Sequence, residues 1–451
     1  MTSKDDLARL DAIEKALLNR WPETRIAPTL DRIAALADVL GSPQLSYPTI
    51  HIAGTNGKTT TTRLIDSLCF ELGMRTGRFT SPHLESFLER ISINGEPISA
   101  EGMIATYNDI ALYLDLIDSK MPNKLSFFEA MCALSFVAFA EFPVDVGIFE
   151  CGMGGEWDST NVINAAVSVI TPIGFDHMEY LGDTLEKIAT TKSGIIKEGS
   201  FAVLARQEAD VAQVLTHKCA QLDATPIREG IEYSVKSRAL AIGGQLVSIA
   251  GVYGEYNDLF LPLHGAHQAA NAATAIAAVE VFAGETKLDE EVVRAALVNA
   301  TSPGRCEIVM RNPTVVIDAA HNPHGAQSLK QTLSEEFDFD AIIGVVAPMG
   351  DKDVSGILEE LEGVMSKVVV TRNSSHRAAS VEELFDDARE IFGGERVQKY
   401  DTLELAISAA IEQAKLQNAV QDSNVAVVIA GSVVTAGEAR TIVRKLKEAR
   451  K

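Results

Sequence analysis

The heptapeptide Gly54-Thr55-Asn56-Gly57-Lys58-Thr59-Thr60 gathers two glycines, one lysine and a row of hydroxyl side chains. It follows a short apolar run at 49–53 and opens a helical pattern at about 58–71, the strand–loop–helix setting of a phosphate-binding loop. Glycines allow backbone N–H groups to approach phosphate oxygens, and the helix N-terminus adds favourable partial charge. Lys58 would reach the β- and γ-phosphates of a nucleotide, and a threonine hydroxyl would face Mg²⁺. The spacing is shorter than the usual GxxxxGK[ST], so the motif by itself also admits a glycine-rich strand-to-helix turn with an exposed lysine.

Further candidates stand at the ends of apolar runs, where open α/β sheets bind ligands. Glu150 closes the run at 144–149 and precedes Gly152, Gly154 and Gly155, which permit close ligand approach. That is the place of a metal-binding carboxylate beside a phosphate loop, or of a solvated strand-end acid. Asp176-His177 follows the run at 167–173, and His177 is either a metal ligand or a satisfied polar group. Lys192 and Lys197, read alone, are surface lysines near a helix end. Arg305 follows the break Ser302-Pro303-Gly304. Asp318, His321 and Asn322 crowd between a strand at 314–317 and Pro323, where Asn322 would also serve as a helix cap. No serine or histidine sits in a nucleophile-elbow context, and Cys151 has no activating neighbour in sequence.

These groups need a scaffold. In the 451 residues, strand-like runs alternate with helical ones up to about 232 and again after 312, which predicts α/β architecture with mostly parallel sheets. Residues 233–263 differ: short alternating runs broken by glycines predict a small antiparallel sheet. The expected domains are 1–302 and 313–451, joined by a linker at 303–312. Lys plus Arg total 40 against 62 Asp plus Glu, a net charge of −22, which argues against nucleic acid as a partner. Any anionic ligand must be held by local donors working against that field. Five cysteines without a CxxC pair indicate a reducing compartment. No signal-peptide pattern opens the chain, and the apolar stretch at 127–142 contains two glutamates and is too short to span a bilayer. A cytoplasmic protein without a membrane partner is expected.

Taken in order, the motifs resemble the folylpolyglutamate synthase/dihydrofolate synthase family, the folate branch of the Mur ligase superfamily. Besides residues 54–60, the resemblance rests on Thr80-Ser81-Pro82-His83-Leu84, Glu89-Arg90-Ile91, Ser126-Phe127-Phe128-Glu129, the segment from Glu150 to Asn161 and Gly174-Phe175-Asp176-His177. It continues through Lys192 to Lys197, Gln268 with Asn271, Pro303-Gly304-Arg305, Asp318 to Pro323, Asp351-Lys352-Asp353 and Gly431-Ser432. The resemblance implies an N-terminal P-loop ATPase-type domain and a C-terminal Rossmann-like glutamate-ligase domain. It implies ATP binding by Gly54, Thr55, Asn56, Gly57, Lys58, Thr59, Thr60, Asn271, Arg305 and Asp318. Mg²⁺ would be held by Ser81, Glu150, His177 and Thr59, and by Lys192 if carbamylated, which makes an oxygen ligand of a cation. Lys58, Lys192, His321 and Arg305 would serve catalysis. Phe127, Phe128, Trp157, Asp158 and Ser159 would lie on the pterin side, and His321 and Ser432 around the incoming glutamate. The expected partners are folate or dihydropteroate, L-glutamate and ATP, acting on a monomer.

The expected reaction is ATP-driven amide formation through an acyl phosphate, with nucleotide on one domain and glutamate on the other. Two positions depart from the family pattern. Thr59 stands where folate ligases usually carry a second glycine, and is typical of peptidoglycan Mur ligases. Glu156 stands where the family usually has arginine. The peptidoglycan reading is opposed by the 53 residues before the loop, too few for the extra α/β domain that those enzymes carry. A nucleotide-binding regulatory protein without ligase chemistry is the other reading; it would have little use for Lys192 and His321.

Overall fold

The computed structural model describes residues 4–22, 27–421 and 423–449. The outermost residues of the two expected domains, 1–3 and 450–451, lie outside the described residues. Backbone contacts divide the chain into one unit that runs to Pro262 and includes Gln268–Thr301, and a second that comprises Leu263–His267 and everything from Ser302 onward.

The first unit is built on an eight-stranded sheet. Its strands are β1 (Thr49–Ala53), β2 (Thr76–Phe79), β3 (Ile91–Ile93), β4 (Glu96–Pro97), β5 (Val146–Glu150), β6 (Val167–Ile170), β7 (Phe201–Leu204) and β8 (Thr225–Arg228). The order is β4-β3-β2-β5-β1-β6-β7-β8, parallel from β2 to β8, with β3 and β4 added antiparallel at one edge. Every residue of β1 and β5 is buried, as expected for central strands covered on both faces. The helix Phe127–Glu141 supplies much of that cover. Phe136 and Phe139 set their rings 5.5 and 5.4 Å from Phe149 of β5, so this apolar segment is a core helix. On the other side, Ile170, Ile188, Ile195 and Leu204 join a second core under the helices Leu185–Ser193 and Ala209–Gln221.

Residues 233–263 form the predicted antiparallel sheet, β9 (Ser234–Ala241), β10 (Gly244–Ala250) and β11 (Glu255–Leu261), in the order β11-β10-β9. The second unit holds β12 (Glu307–Arg311), β13 (Thr314–Ile317), β14 (Ala341–Val346), β15 (Lys367–Val370), β16 (Val397–Lys399) and β17 (Val425–Ala430). Their order is β12-β13-β17-β14-β15-β16, parallel except for β12. The segment 303–312 is therefore more than a linker: residues 307–311 are the antiparallel edge strand β12, paired with β13 from Glu307↔Ile317 to Arg311↔Thr314. Among the described residues, no helix is long and apolar enough to cross a membrane, and all five cysteines are buried without a disulfide.

Candidate active site

In the first unit, sheet register does the positioning. Phe79 of β2 lies beside Phe149 of β5, Ile52 of β1 beside Glu150, and Ala53 beside Ile170 of β6. The carboxyl ends of four adjacent parallel strands thus bring Ser81, Glu150, Gly54 and Thr171 to one edge.

The loop after β1 is tightly walled. Gly54 (φ 151°) lies so close to Thr171 that a Cβ there would fall 1.9 Å from the threonine Oγ1. Gly57 (φ 86°) begins the helix Lys58–Glu71 in the left-handed region, and a Cβ on it would meet Asn271 Oδ1 at 2.7 Å. That close approach places Asn271 at the loop, although 214 residues separate the two in sequence, from 271 − 57. Asn271 is buried and donates to Gln268 Oε1 at 3.0 Å. Thr55 anchors the loop to the strand-end turn after β6: its backbone N–H donates to Pro172 O and its hydroxyl to Gly174 O, both at 3.0 Å. Lys58 Nζ curls back over the loop onto the carbonyls of Gly54 and Thr55, 3.1 Å each.

Thr59 Oγ1 donates to Glu150 Oε1 at 2.8 Å, and Glu150 is only 1% exposed. Lys192, at the end of the helix Leu185–Ser193, is buried and donates to Gly54 O at 2.8 Å. Burial, then the neighbouring charge of Lys58, push its pKa down to about 7. His177 adopts a left-handed backbone (φ 51°), its N–H donates to Asp176 Oδ1 at 2.9 Å, and its ring is partly exposed.

The residues expected on the pterin side are largely buried and hydrogen-bonded or packed within the fold. Asp158 accepts from Met153 N at 2.8 Å, Thr160 N at 3.0 Å and Thr160 Oγ1 at 2.5 Å; burial raises its pKa and those donors oppose the rise. Ser159 is buried as well. Phe127 belongs to the core with Arg90 4.8 Å from its ring centroid, so it offers little surface to a ligand in this conformation. Phe128 is half-buried, tilted against Phe79 at 5.8 Å, and a Cβ on Gly152 would fall 2.7 Å from the tip of its ring. Trp157 is half-buried beside Gly154.

In the second unit, Asp318 follows β13 and bridges two turns. Its Oδ2 accepts from Cys306 N and its Oδ1 from Ala320 N, both at 2.7 Å. Burial raises its pKa, against the pull of Arg305 and those two N–H donors. The charges of Arg305 and His321 both act on this carboxylate, and His321 Nδ1 lies 2.9 Å from Ala319 O. Gly431 N donates to Ala320 O at 3.1 Å, which ties the end of β17 to the same turn. Asn322 is the N-cap of the helix Pro323–Glu336, accepting from Gly325 N at 2.7 Å. Ser432 likewise caps the helix Val433–Glu448 through Thr435 N at 3.0 Å and is 2% exposed. Sequence reading missed Thr171, which walls the loop, because only the β1–β6 pairing brings it there. It also gave no role to Asn161, whose side-chain bonds appear only in the fold.

The donor set fits Mg²⁺. This hard cation takes one or two carboxylates together with hydroxyl, water and phosphate oxygens. The edge offers one buried carboxylate, Glu150, with the Thr59 hydroxyl already directed at it. Among the described residues no group of three or more His, Cys, Asp or Glu forms an all-protein metal cage.

Two family models match the chain: Mur ligase middle domain over residues 52–279, and Mur ligase, glutamate ligase domain over 304–433. The dihydrofolate synthase/folylpolyglutamate synthase of Mycobacterium tuberculosis is 50% identical over 97% of this chain and 94% of its own length. The protein of the same name from Bacillus subtilis is 38% identical over 80% of this chain and 85% of its own. The structure of M. tuberculosis folylpolyglutamate synthase complexed with ADP superposes with a TM-score of 0.94, covering 97% of this chain and 99% of that one. Escherichia coli FolC in complex with DHPP and ADP superposes at 0.84, with 28% identity and 98% of both chains covered.

Proposed function

This chain belongs to the Mur ligase family, in its dihydrofolate synthase/folylpolyglutamate synthase branch, and we propose that it spends ATP to join L-glutamate to folates and to dihydropteroate. Likeness to the mycobacterial enzyme along nearly the whole of both chains carries the reading. Thr59, the residue that pointed towards the peptidoglycan ligases, is then a variant within the folate branch.

A free carboxylate is a poor electrophile towards an amine. One oxygen of the acceptor's carboxylate attacks the γ-phosphorus of ATP, the bond to the β–γ bridging oxygen breaks, and ADP leaves an acyl phosphate behind. The amino group of glutamate then attacks the acyl carbon. Phosphate departs, the amine proton is lost, and an amide remains. Acceptor and ATP are both anionic, so the site must offset their repulsion and stabilise charge that develops during transfer. Lys58 is placed for this once a γ-phosphate displaces it from the Gly54 and Thr55 carbonyls. Arg305, whose charge is felt by the Asp318 carboxyl, would be the corresponding cation of the second unit. Loop N–H groups at the start of the helix Lys58–Glu71 would cradle the phosphates.

Glu150, Thr59, Ser81 and His177 would hold Mg²⁺, and Lys192 would add an oxygen ligand as its carbamate. When bound, the metal supplies Lewis-acid neutralisation of phosphate charge. Lys192 suits carbamate formation because burial pushes its pKa down to about 7, so that a large share of the amine is in the neutral form that attacks CO₂. His321 and the backbone around Ser432 would receive glutamate, while Phe128 and Trp157 are the aromatic surfaces left for the pterin.

The test is incorporation of isotope-labelled glutamate, with dihydropteroate and tetrahydrofolate assayed side by side. ADP release that needs both an acceptor and glutamate supports the reading. ATP turnover independent of either supports a regulatory nucleotide-binding protein instead. Lys58→Ala should abolish turnover while the protein stays folded.

A further inference from the structure

Lys197 plays no part in the chemistry above, yet it is bound to the segment assigned to the acceptor. Its Nζ donates twice to one residue, to Asn161 Oδ1 at 2.9 Å and to Asn161 O at 3.1 Å. The other side of the Asn161 amide is used as fully: Nδ2 donates to Glu156 O at 3.0 Å and to Gly194 O at 3.1 Å. Asn161 is buried, and its backbone N–H closes the loop on Asp158 O at 2.7 Å.

These bonds frame the loop. Glu156 and Asn161 flank the four residues Trp157 to Thr160. Glu156 N also donates to Thr191 O at 2.8 Å, next to Lys192. Packing reinforces the seam: a Cβ on Gly155 would fall 2.6 Å from Lys192 O, and one on Gly194 would fall 2.5 Å from Glu156 Cα. The loop that carries Trp157 and the helix end that carries Lys192 are thus closed onto each other, and the Asn161 side chain is bonded to both. An asparagine amide can present either its oxygen or its nitrogen to a given neighbour. A cation that donates only fixes the choice, turning Oδ1 to Lys197 and Nδ2 to the two carbonyls.

We infer that Lys197, acting through Asn161, is a positioning residue that sets the acceptor-side loop in register with Lys192. The inference rests on the folate-ligase reading for what the loop binds. Ligand-supporting groups of this kind typically change affinity or activity by about 10–100-fold when removed.

The experiment uses the full-length enzyme and compares Lys197→Met, Lys197→Arg and Asn161→Asp with the unmodified protein, with tetrahydrofolate as acceptor. Lys197→Met should raise the acceptor KM by about tenfold or more and leave the ATP KM within about twofold. Lys197→Arg, which restores a donor-only cation, should recover most of the loss. Asn161→Asp keeps the bond to Lys197 but sets a carboxylate against the Glu156 and Gly194 carbonyls, so it should reproduce the acceptor defect, and it decides the matter if Lys197→Met does not fold. An unchanged acceptor KM, acceptor and ATP KM values rising together, or equal impairment in the methionine and arginine variants would each overturn the inference. If the unmodified enzyme adds no glutamate to tetrahydrofolate, the functional reading has failed first, and the two failures are told apart.

Discussion

The Thr59 hydroxyl donates to the Glu150 carboxylate across 2.8 Å, so the residue that departs from the usual folate-ligase loop is bonded to the buried acid proposed to hold the metal. A hydroxyl in that position orients the carboxylate and can itself turn towards a cation. Thr59→Val keeps the shape and removes the oxygen. The magnesium concentration for half-maximal turnover should rise by about tenfold, whereas Thr59→Ser should titrate like the unmodified enzyme. An unchanged magnesium titration for the valine variant would remove Thr59 from the metal site.

Much of this edge was legible in sequence because each part has a local signal. Gly57-Lys58 marks a helix start, and the helix indeed begins at Lys58. Glu150 ends a short, mostly apolar run that reads as a strand, and the strand is interior, with every residue buried. Strand β2 was not legible. Its sequence, Thr-Gly-Arg-Phe, looks like a turn, and Arg78 is buried only because Asp66 and Ser92 bind it there. Ser432, expected around the incoming glutamate, is also the N-cap of the helix Val433–Glu448, a second use of its hydroxyl that only the fold shows. Phe127 looked like a pterin platform, yet the capping box formed by Ser126 and Glu129 starts a helix whose first ring turns into the core.

Lys192 should react with carbon dioxide at neutral pH. Its ordinary pKa of 10.5 falls to about 7, so about half of the side chains are neutral at pH 7. Lowering the pH through that value protonates the amine and withdraws it from the reaction. Activity should therefore depend on added bicarbonate, and more steeply below about pH 7 than above it. A carbamate signal from ¹³C-labelled bicarbonate should appear in the unmodified protein and vanish in Lys192→Ala, with turnover reduced on the order of a hundredfold. Full activity in the alanine variant would exclude the modification from function.

His51 makes folding stability sensitive to acid. It is buried in β1, with Nε2 2.7 Å from Thr160 Oγ1 and 3.1 Å from Cys151 Sγ. Burial, and next the charge of Lys197, lower its pKa from 6.5 to about 3. Between those values the unfolded chain binds a proton that the folded chain refuses, so stability falls as the pH drops from 6.5 towards 3. From about pH 7.5 to about pH 5 this one group should cost about 2 kcal/mol. His51→Gln cannot titrate. Urea unfolding at the two pH values should show the unmodified protein losing about 2 kcal/mol more than the variant. Equal losses would mean that His51 is solvated or protonated in the fold.

The second unit makes its own demand, through Asp318. One carboxylate accepts from Cys306 N and from Ala320 N, so a single side chain sets the turn that carries Arg305 and the turn that carries His321. Asp318→Asn turns one acceptor into a donor facing an N–H, which costs a bond and leaves a repulsive pair. Both turns should shift, and turnover should fall by at least about tenfold with the KM for ATP and that for glutamate both raised. His321→Ala touches neither bond. If His321 faces only the incoming amino acid, its loss should raise the glutamate KM and leave the ATP KM unchanged. Steady-state kinetics with ATP and glutamate varied in turn separates the cases. An Asp318→Asn enzyme with normal constants for both substrates would mean that the two turns keep their places without the carboxylate.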